Sequence, residues 1–240
     1  FIGAVTIQVG TNLADEYTDH RRGSTHKFPA PHKVIQRGLL PERTVLIGLI
    51  LCFSIASGIG LYIVSQVGWP ILVVGVLSLL AGFLYSSGPF PLGNWALGEV
   101  TVFLFMGPLI VMASFYVQIQ ELTWPLFWAS LPVGLLVTAI LQTNNLRDIE
   151  EDRAEGKHTL TTILGITIGR WMYTFLVLGA HAALLGIVLG RAVPQLALVG
   201  LILAPWSLLL LRQLWNAHER PSFNAILIGT AKLHLSTGLL

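Results

Sequence analysis

The stretch TVLIGLILCFSIASGIGLYIVSQV, at residues 44–67, carries no charged side chain and is long enough to cross the apolar core of a bilayer as a helix. It opens a longer region, residues 44–146, in which Glu99 and Glu121 are the only charged residues. An average globular domain carries charges at about a quarter of its positions. Of the 240 residues in the chain, 54% are hydrophobic and 11% are charged, and the mean hydropathy is +0.72. These values exclude a soluble domain and predict a polytopic membrane protein.

Similar windows recur along the chain and predict an all-α transmembrane bundle, because a single apolar segment can satisfy its backbone groups in lipid only as a helix. The windows of low charge lie at residues 1–14, 44–67, 68–85, 99–118, 123–146, 170–190, 194–211 and 222–240. They predict seven full spans and one partial span. The partial span begins at Phe1, without a methionine, so we expect one domain over residues 1–240 that is truncated at its N-terminus.

The basic residues fall mainly in the connections between these windows. If residues 15–43 are cytoplasmic, alternate crossings place 86–98, 146–169 and 212–221 on the same side. That side then holds twelve of the fourteen Lys and Arg residues, in agreement with the positive-inside rule. They are Arg21, Arg22, Lys27, Lys33, Arg37, Arg43, Arg147, Arg153, Lys157, Arg170, Arg212 and Arg220. We expect an integral protein of a prokaryotic plasma membrane and no nucleic-acid partner.

Two apolar windows finish in a cluster of Asn and acidic residues on this predicted cytoplasmic side. If both helices continue through their clusters, at about 100° per residue, the first set spans about 100° of the helix surface and the second about 60°. The first set is Asn12, Asp15, Glu16 and Asp19, and the second is Asn145, Asp148 and Asp152, with Asn144 beside it. Each cluster therefore presents its acids on one helix face.

Acidic residues three or four positions apart repel one another, so a positive partner is expected. Carboxylate and amide oxygens suit Mg²⁺, which proteins usually hold with one or two carboxylates, waters and substrate phosphate oxygens. Arg21, Arg147 and Lys157 lie close by in sequence and could bind the remaining phosphate oxygens. The pattern indicates a magnesium diphosphate as ligand. A solvated helix end explains either cluster taken alone, but it explains the recurrence of the pattern less well.

The same segments resemble the UbiA-type intramembrane aromatic prenyltransferases. The resemblance rests on QVGTNLADEYTDHRRG at 8–23, YSSGPFPLGNWALGE at 85–99, FLFMGPLIV at 103–111 and QTNNLRDIEEDRAEGKHTLTTILG at 142–165. These segments are most similar to the branch that prenylates 1,4-dihydroxy-2-naphthoate on the route to menaquinone or phylloquinone. One departure is Asp15-Glu16, where that branch usually has Asn-Asp.

The resemblance implies about nine helices, eight of them represented here, around a central cavity, and two Mg²⁺ ions that bridge the diphosphate of a polyprenyl or phytyl donor. It implies an aromatic acceptor whose carboxylate is replaced by the prenyl group. The implied metal ligands are Asn12, Asp15, Glu16, Asp19, Asn145, Asp148 and Asp152. The implied catalytic residues are Asp15, Asp19, Asp148, Asp152 and Tyr85, and the implied substrate-binding residues are Asn12, Arg21, Asn144, Asn145, Arg147 and Lys157.

Two alternatives remain open at this stage. A relative of this branch could use a different acceptor, such as 4-hydroxybenzoate, homogentisate or chlorophyllide. A cation-coupled secondary transporter would also place acids within membrane helices, but near the middle of the bilayer. The acids here lie at the ends of the predicted spans and beside basic connections, which favours chemistry on a headgroup at the membrane surface.

Overall fold

The computed structural model describes residues 2–22, 34–86 and 91–240, and within these ranges the chain is almost entirely helical and contains no β-strand. Its contacts separate two compact units, Phe1–Trp95 and Ala96–Leu240. Each unit contains one of the two acidic clusters.

The first unit is built from three long helices, α1 (Ile2–Arg22), α2 (Glu42–Val67) and α3 (Trp69–Ser86), followed by a short 3₁₀ turn at Leu92–Asn94. Helix α1 packs along α2 and also contacts α3. A single residue, Gly68, joins α2 to α3 with a φ of 99°, a left-handed value that favours glycine. The predicted connection at 86–98 begins after α3, but residues 87–90 lie outside the described part of the chain.

The second unit begins with one apolar segment, Gly98–Ile119, made of α4 (Gly98–Leu104), a π-helical turn (Phe105–Leu109) and α5 (Ile110–Ile119). The π turn contains Pro108, whose missing N–H interrupts the regular hydrogen-bond ladder. Helix α6 (Trp124–Arg147) packs on this segment at a glycine pair: a Cβ on Gly107 would lie 2.5 Å from the Cα of Gly134. The two backbones therefore approach closely and hold α4 in place beside α6.

Helix α6 is also the centre of the unit, because it packs against α9 and α11 as well. The remaining helices are α7 (Ile149–Ala154), α8 (Leu160–Leu164), α9 (Ile166–Leu189), α10 (Ala204–Trp215), which continues a 3₁₀ segment (Gln195–Leu203), and α11 (Arg220–Leu239). The largest core cluster includes Ala139 and Leu146 of α6, Tyr173 of α9 and Ile226 of α11. This packing fixes the C-terminal end of α6, where the second acidic cluster lies.

The outer surfaces of the long helices are apolar. Large side chains such as Phe175 and Leu189 are each 72% exposed, which is unfavourable in water but suits contact with lipid. In the described part of the chain, five segments are long and apolar enough to cross a membrane, namely Glu42–Val67, Gly98–Ile119, Trp124–Arg147, Ile166–Leu189 and Gln195–Trp215. The protein is an integral membrane protein.

The predicted all-α, polytopic fold is confirmed, and each of the eight predicted windows corresponds to helical structure. Fewer segments qualify as full spans than the seven predicted. Trp69–Tyr85 is apolar but short, and α11 carries Arg220 and Lys232 together with several polar side chains. Helix α1 is long enough, but charged residues occupy its second half. The central cavity stays a prediction.

Candidate functional site

The first acidic cluster lies on one uninterrupted helix. Because α1 runs from Ile2 to Arg22 without a break, the condition for a shared face is met for Asn12, Asp15 and Asp19. The Asp15 and Asp19 side chains are half-buried and Asn12 is exposed, with its Oδ1 accepting a hydrogen bond from Gln8 Nε2 at 3.3 Å. This surface presents carboxylate oxygens near the end of the helix.

Glu16 differs from its neighbours because its side chain is fully buried. Its Oε1 accepts hydrogen bonds from the backbone N–H groups of Ile35 at 2.6 Å and Gln36 at 3.2 Å. Its Oε2 is buried and has no hydrogen-bond partner among the described residues. Glu16 therefore anchors the turn that precedes α2, and its role as a metal ligand stays a prediction.

Arg21 lies one helical turn beyond Glu16 and is largely exposed. Its guanidinium is 3.6 Å from a carboxylate oxygen of Glu42, at the start of α2, and His20 lies 4.0 Å from the other oxygen. An exposed ion pair of this kind contributes little to stability, so Glu42 holds Arg21 only weakly. The predicted contact between Arg21 and a substrate phosphate is untested.

The second acidic cluster lies at a bend rather than on a continuous helix. Helix α6 ends at Arg147, Asp148 has φ −101° and ψ 8°, and α7 begins at Ile149. Helix-like hydrogen bonds continue across the bend, from Asp148 N–H to Asn144 at 3.0 Å and from Asp152 N–H to Asp148 at 2.9 Å. The bend separates the end of α6 from the acidic first turn of α7. The angular spacing predicted for Asn145, Asp148 and Asp152 on one continuous helix therefore does not apply across it.

Two guanidinium groups surround Asp148. Arg147 donates from Nε to Asp148 Oδ1 at 2.8 Å and also contacts Oδ2, while Arg220, at the start of α11, lies 2.9 Å from Oδ1. Arg147 further donates to Asn144 Oδ1 at 2.6 Å, and Arg220 lies 3.0 Å from Glu151 Oε1. The cluster therefore combines carboxylates with basic side chains that are able to bind an anion.

Asp152 and Lys157 form a further pair at the same site. Lys157 Nζ lies 3.3 Å from Asp152 Oδ1, and the Asp152 side chain is buried. Burial raises the pKa of Asp152, while the neighbouring Lys157 ammonium opposes this shift. The structure thus brings Asn144, Arg147, Asp148, Asp152 and Lys157 together within the second unit.

Sequence reasoning missed two residues of this site. The sequence places Arg220 only among the basic residues of the predicted cytoplasmic side, but in the structure it pairs with Asp148 and Glu151. Glu99 stands out in the sequence only as a rare charge, yet its Oε1 accepts a hydrogen bond from Asn145 Nδ2 at 2.9 Å. A carboxylate in an otherwise uncharged stretch was the available signal for Glu99, since such groups need partners in a membrane.

Tyr85 lies in the first unit, near the end of α3, and its side chain is half-buried. A Cβ on Gly93 would meet the Tyr85 ring at 3.2 Å, so the absence of a side chain at Gly93 lets the 3₁₀ turn pack against that ring. This contact fixes the position of the ring in its own unit. The structure does not test its contact with substrate.

The oxygen-rich side chains fit Mg²⁺ in kind. Within residues 2–22, 34–86 and 91–240, no three His, Cys, Asp or Glu side chains converge into a preformed metal site. Mg²⁺ is commonly held by few carboxylates and completes its shell with waters and substrate phosphates, so a complete protein cage is not required. The adjacent basic side chains suit the phosphate part of such a ligand.

Comparison with known proteins identifies the family. Residues 1–234 match the model of the UbiA prenyltransferase family. The chain belongs to this family. Because the match runs through both units, it includes both acidic clusters.

Curated relatives of this family member carry related names. Over 161 residues, 66% of this chain, it is 33% identical to the 1,4-dihydroxy-2-naphthoate octaprenyltransferase of Bacillus subtilis, and the match covers 51% of that protein. It is 32% identical to the protein of the same name in Mycobacterium tuberculosis, over 85% of this chain and 69% of the relative. It is 27% identical to the 2-carboxy-1,4-naphthoquinone phytyltransferase of Synechocystis, over 100% of this chain and 78% of the relative. The chain thus spans about half to three quarters of the length of these relatives.

Proposed function

We propose that this protein transfers a polyprenyl or phytyl group from its diphosphate to 1,4-dihydroxy-2-naphthoate in menaquinone or phylloquinone biosynthesis. The observation that carries the proposal is the end of α6, where Asn144, Asn145, Asp148 and Asp152 lie with basic side chains in a UbiA family member. The relatives named above act, by their names, on naphthalene acceptors. Their names favour this acceptor over 4-hydroxybenzoate, homogentisate or chlorophyllide.

Binding of the donor is assigned to both acidic clusters. We assign Mg²⁺ to Asn12, Asp15, Glu16 and Asp19 on α1 and to Asn145, Asp148 and Asp152 in the second unit. When bound, Mg²⁺ supplies positive charge that stabilises the departing diphosphate oxygens. Asp15, Asp19, Asp148 and Asp152 orient the donor, and the apolar prenyl chain lies among the membrane helices in a central cavity.

The basic residues hold the phosphate oxygens. Arg147 and Arg220 are paired with Asp148, so their N–H groups already point to the acidic end of α6. A diphosphate would replace part of these contacts with charge-assisted hydrogen bonds of the same kind. Lys157 and Arg21 add further donors.

The transfer breaks the allylic C–O bond and releases diphosphate. The acceptor carbon that carries the carboxylate forms the new C–C bond, and the electrons of the C–CO₂ bond return to the ring as CO₂ leaves. The face of Tyr85 steadies the positive charge that develops on the prenyl group, an interaction of about 0.5–2 kcal/mol. We assign this chemistry to the cytoplasmic face of a prokaryotic plasma membrane, and the distribution of the basic residues supports this orientation.

The test is a product assay with purified protein, Mg²⁺, a polyprenyl diphosphate and 1,4-dihydroxy-2-naphthoate. We expect a prenylated, decarboxylated naphthoquinol by mass spectrometry, and diphosphate in equal amount. Each alternative acceptor is tested in the same assay, and preferential use of one of them would replace the naphthoate assignment. Cation-driven flux in proteoliposomes without release of diphosphate would favour the transporter.

A further inference from the structure

Glu99 and Glu121 are the only charged residues in the stretch 44–146, and their surroundings differ. Glu121 is exposed in the connection after α5, whereas Glu99 lies in the first turn of α4 and is only 5% exposed. A carboxylate buried in a membrane helix bundle is costly unless it is paired or serves a site. The surroundings of Glu99 therefore call for a specific explanation.

The described partner of Glu99 is Asn145, which is itself 7% exposed. Asn145 Nδ2 donates to Glu99 Oε1 at 2.9 Å. An ionised carboxylate can only accept hydrogen bonds, so it requires the NH₂ end of the Asn145 amide to face it. The other end of the amide, the carbonyl oxygen Oδ1, is then turned away from Glu99.

This orientation matters because only the carbonyl oxygen of an asparagine can bind a cation. An amide that is free to rotate would present its NH₂ group half of the time. Residues that hold a metal ligand through a hydrogen bond commonly fix its orientation in this way. The close packing of Gly107 against Gly134 keeps α4 and α6 together, so the two side chains are held by rigid elements.

The second oxygen of Glu99 is an independent indication of a cation. Oε2 is buried and accepts no hydrogen bond from the described residues. A buried anionic oxygen without a donor leaves uncompensated negative charge at the end of α6. A divalent cation near Asn145 would compensate it, even without direct contact.

We propose that Glu99 is a positioning residue that fixes the Asn145 amide so that its Oδ1 is available to a divalent cation. This inference rests on the proposed function, since it takes the end of α6 as the site of a metal diphosphate. Glu99 acts through Asn145 and does not itself touch the substrate.

The experiment measures Mn²⁺ affinity by electron paramagnetic resonance on the full chain in detergent, with inorganic diphosphate present. Glu99→Gln keeps the size of the side chain but allows either end of the Asn145 amide to face it. We expect Mn²⁺ to bind about 10-fold to 100-fold more weakly. The matched control is Glu121→Gln, the same change at the exposed carboxylate, which leaves the affinity unchanged. Wild-type affinity in Glu99→Gln would overturn the proposal.

Exchanging the donor and the acceptor of this hydrogen bond distinguishes a positioning role of Glu99 from general damage to the fold. Asn145→Asp removes the donor to Glu99 and places two carboxylates face to face. Their repulsion releases the new side chain from its position, and we expect this loss of geometry to weaken Mn²⁺ binding although the variant carries one more negative charge. Adding Glu99→Gln restores the hydrogen bond in the opposite direction, because the amide at position 99 now donates to the carboxylate at position 145. The double variant should therefore bind Mn²⁺ at least about 10-fold better than Asn145→Asp alone. A double variant no better than Asn145→Asp contradicts the proposal.

The variant Asn145→Ala provides a second test if Asn145→Asp does not fold. In Asn145→Ala there is no amide to orient, so Glu99→Gln should cause a smaller further loss of Mn²⁺ affinity than it does in wild type, because only the attraction of the Glu99 charge is removed. A full additional loss there would overturn the proposal. The two proposals fail in different ways. If wild-type protein binds Mn²⁺ with diphosphate but forms no prenylated naphthoquinol, only the proposed function is contradicted. If the protein is active but Glu99→Gln binds Mn²⁺ as wild type does, only the role of Glu99 is contradicted.

Discussion

The acidic end of α1 and the acidic end of α6 share a pattern of Asn and Asp residues, but the described contacts of Glu16 on α1 and of Asp148 at the end of α6 differ in kind. On α1 the helix is continuous, and its buried acid, Glu16, accepts hydrogen bonds from backbone N–H groups. At the end of α6 the helix bends, and Asp148 is paired with two guanidinium groups. The second end therefore carries basic side chains from α6 and α11 beside its carboxylate, whereas the described contacts of Glu16 at the first end are to backbone groups.

The largest expected effect is that of Asp148→Ala. Removing this carboxylate takes away a proposed metal ligand and leaves Arg147 and Arg220 without their shared partner. We expect kcat/KM for prenyl transfer to fall by at least about 100-fold, a typical loss when a group that stabilises developing charge is removed. Steady-state kinetics of the purified variant check this, and wild-type kcat/KM would refute the assignment.

Asp19→Ala is the counterpart of this change on α1. If both ends bind one metal diphosphate, it too should reduce kcat/KM by at least about 100-fold. The comparison is decided by measuring the two variants side by side. Wild-type activity in Asp19→Ala alone would remove α1 from the site and leave the end of α6 in place.

Arg220→Ala should have a smaller effect, confined to binding of the donor. Loss of one charge-assisted phosphate contact, worth about 1.5–3 kcal/mol, raises KM for the polyprenyl diphosphate by about 10-fold to 100-fold. Arg153→Ala is the matched control, because Arg153 pairs with the exposed Glu150 at the same helix end. Equal KM values in Arg220→Ala and wild type would limit Arg220 to a structural role.

Glu16→Ala tests the backbone anchor on α1. The change leaves the N–H groups of Ile35 and Gln36 without their acceptor, which costs about 1–3 kcal/mol. We expect a lower midpoint of thermal unfolding in detergent, with a smaller decrease for Glu16→Gln, which keeps an acceptor oxygen. Equal midpoints for Glu16→Ala and wild type would show that the anchor contributes nothing.

Much of the fold could be predicted from the sequence, because the membrane imposes simple rules on the chain. Long uncharged windows become helices in lipid, and the recurrence of Asn and Asp residues marked both helix ends. Arg147 and Lys157 could be placed beside the second cluster because they are close to it in sequence.

The contacts that complete the site could not be predicted in this way. Glu99 meets Asn145 across 46 positions, and Arg220 meets Asp148 across 72, and both contacts depend on how α6 packs against its neighbours. Helical periodicity also does not predict the bend at Asp148, where the carboxylate forms an ion pair with Arg220 of α11. Likewise, sequence alone could not separate the buried Glu16 from the half-buried Asp15 beside it.

We propose that the acids of α1 and those at the end of α6 both contribute to the binding of magnesium diphosphate. The most direct test is the affinity for inorganic diphosphate in the presence of Mg²⁺, measured by calorimetry for wild type, Asp19→Ala and Asp148→Ala. We predict that each single variant binds at least about 10-fold more weakly, because each removes a proposed metal ligand. Wild-type affinity in either variant would contradict the assignment of that residue as a metal ligand.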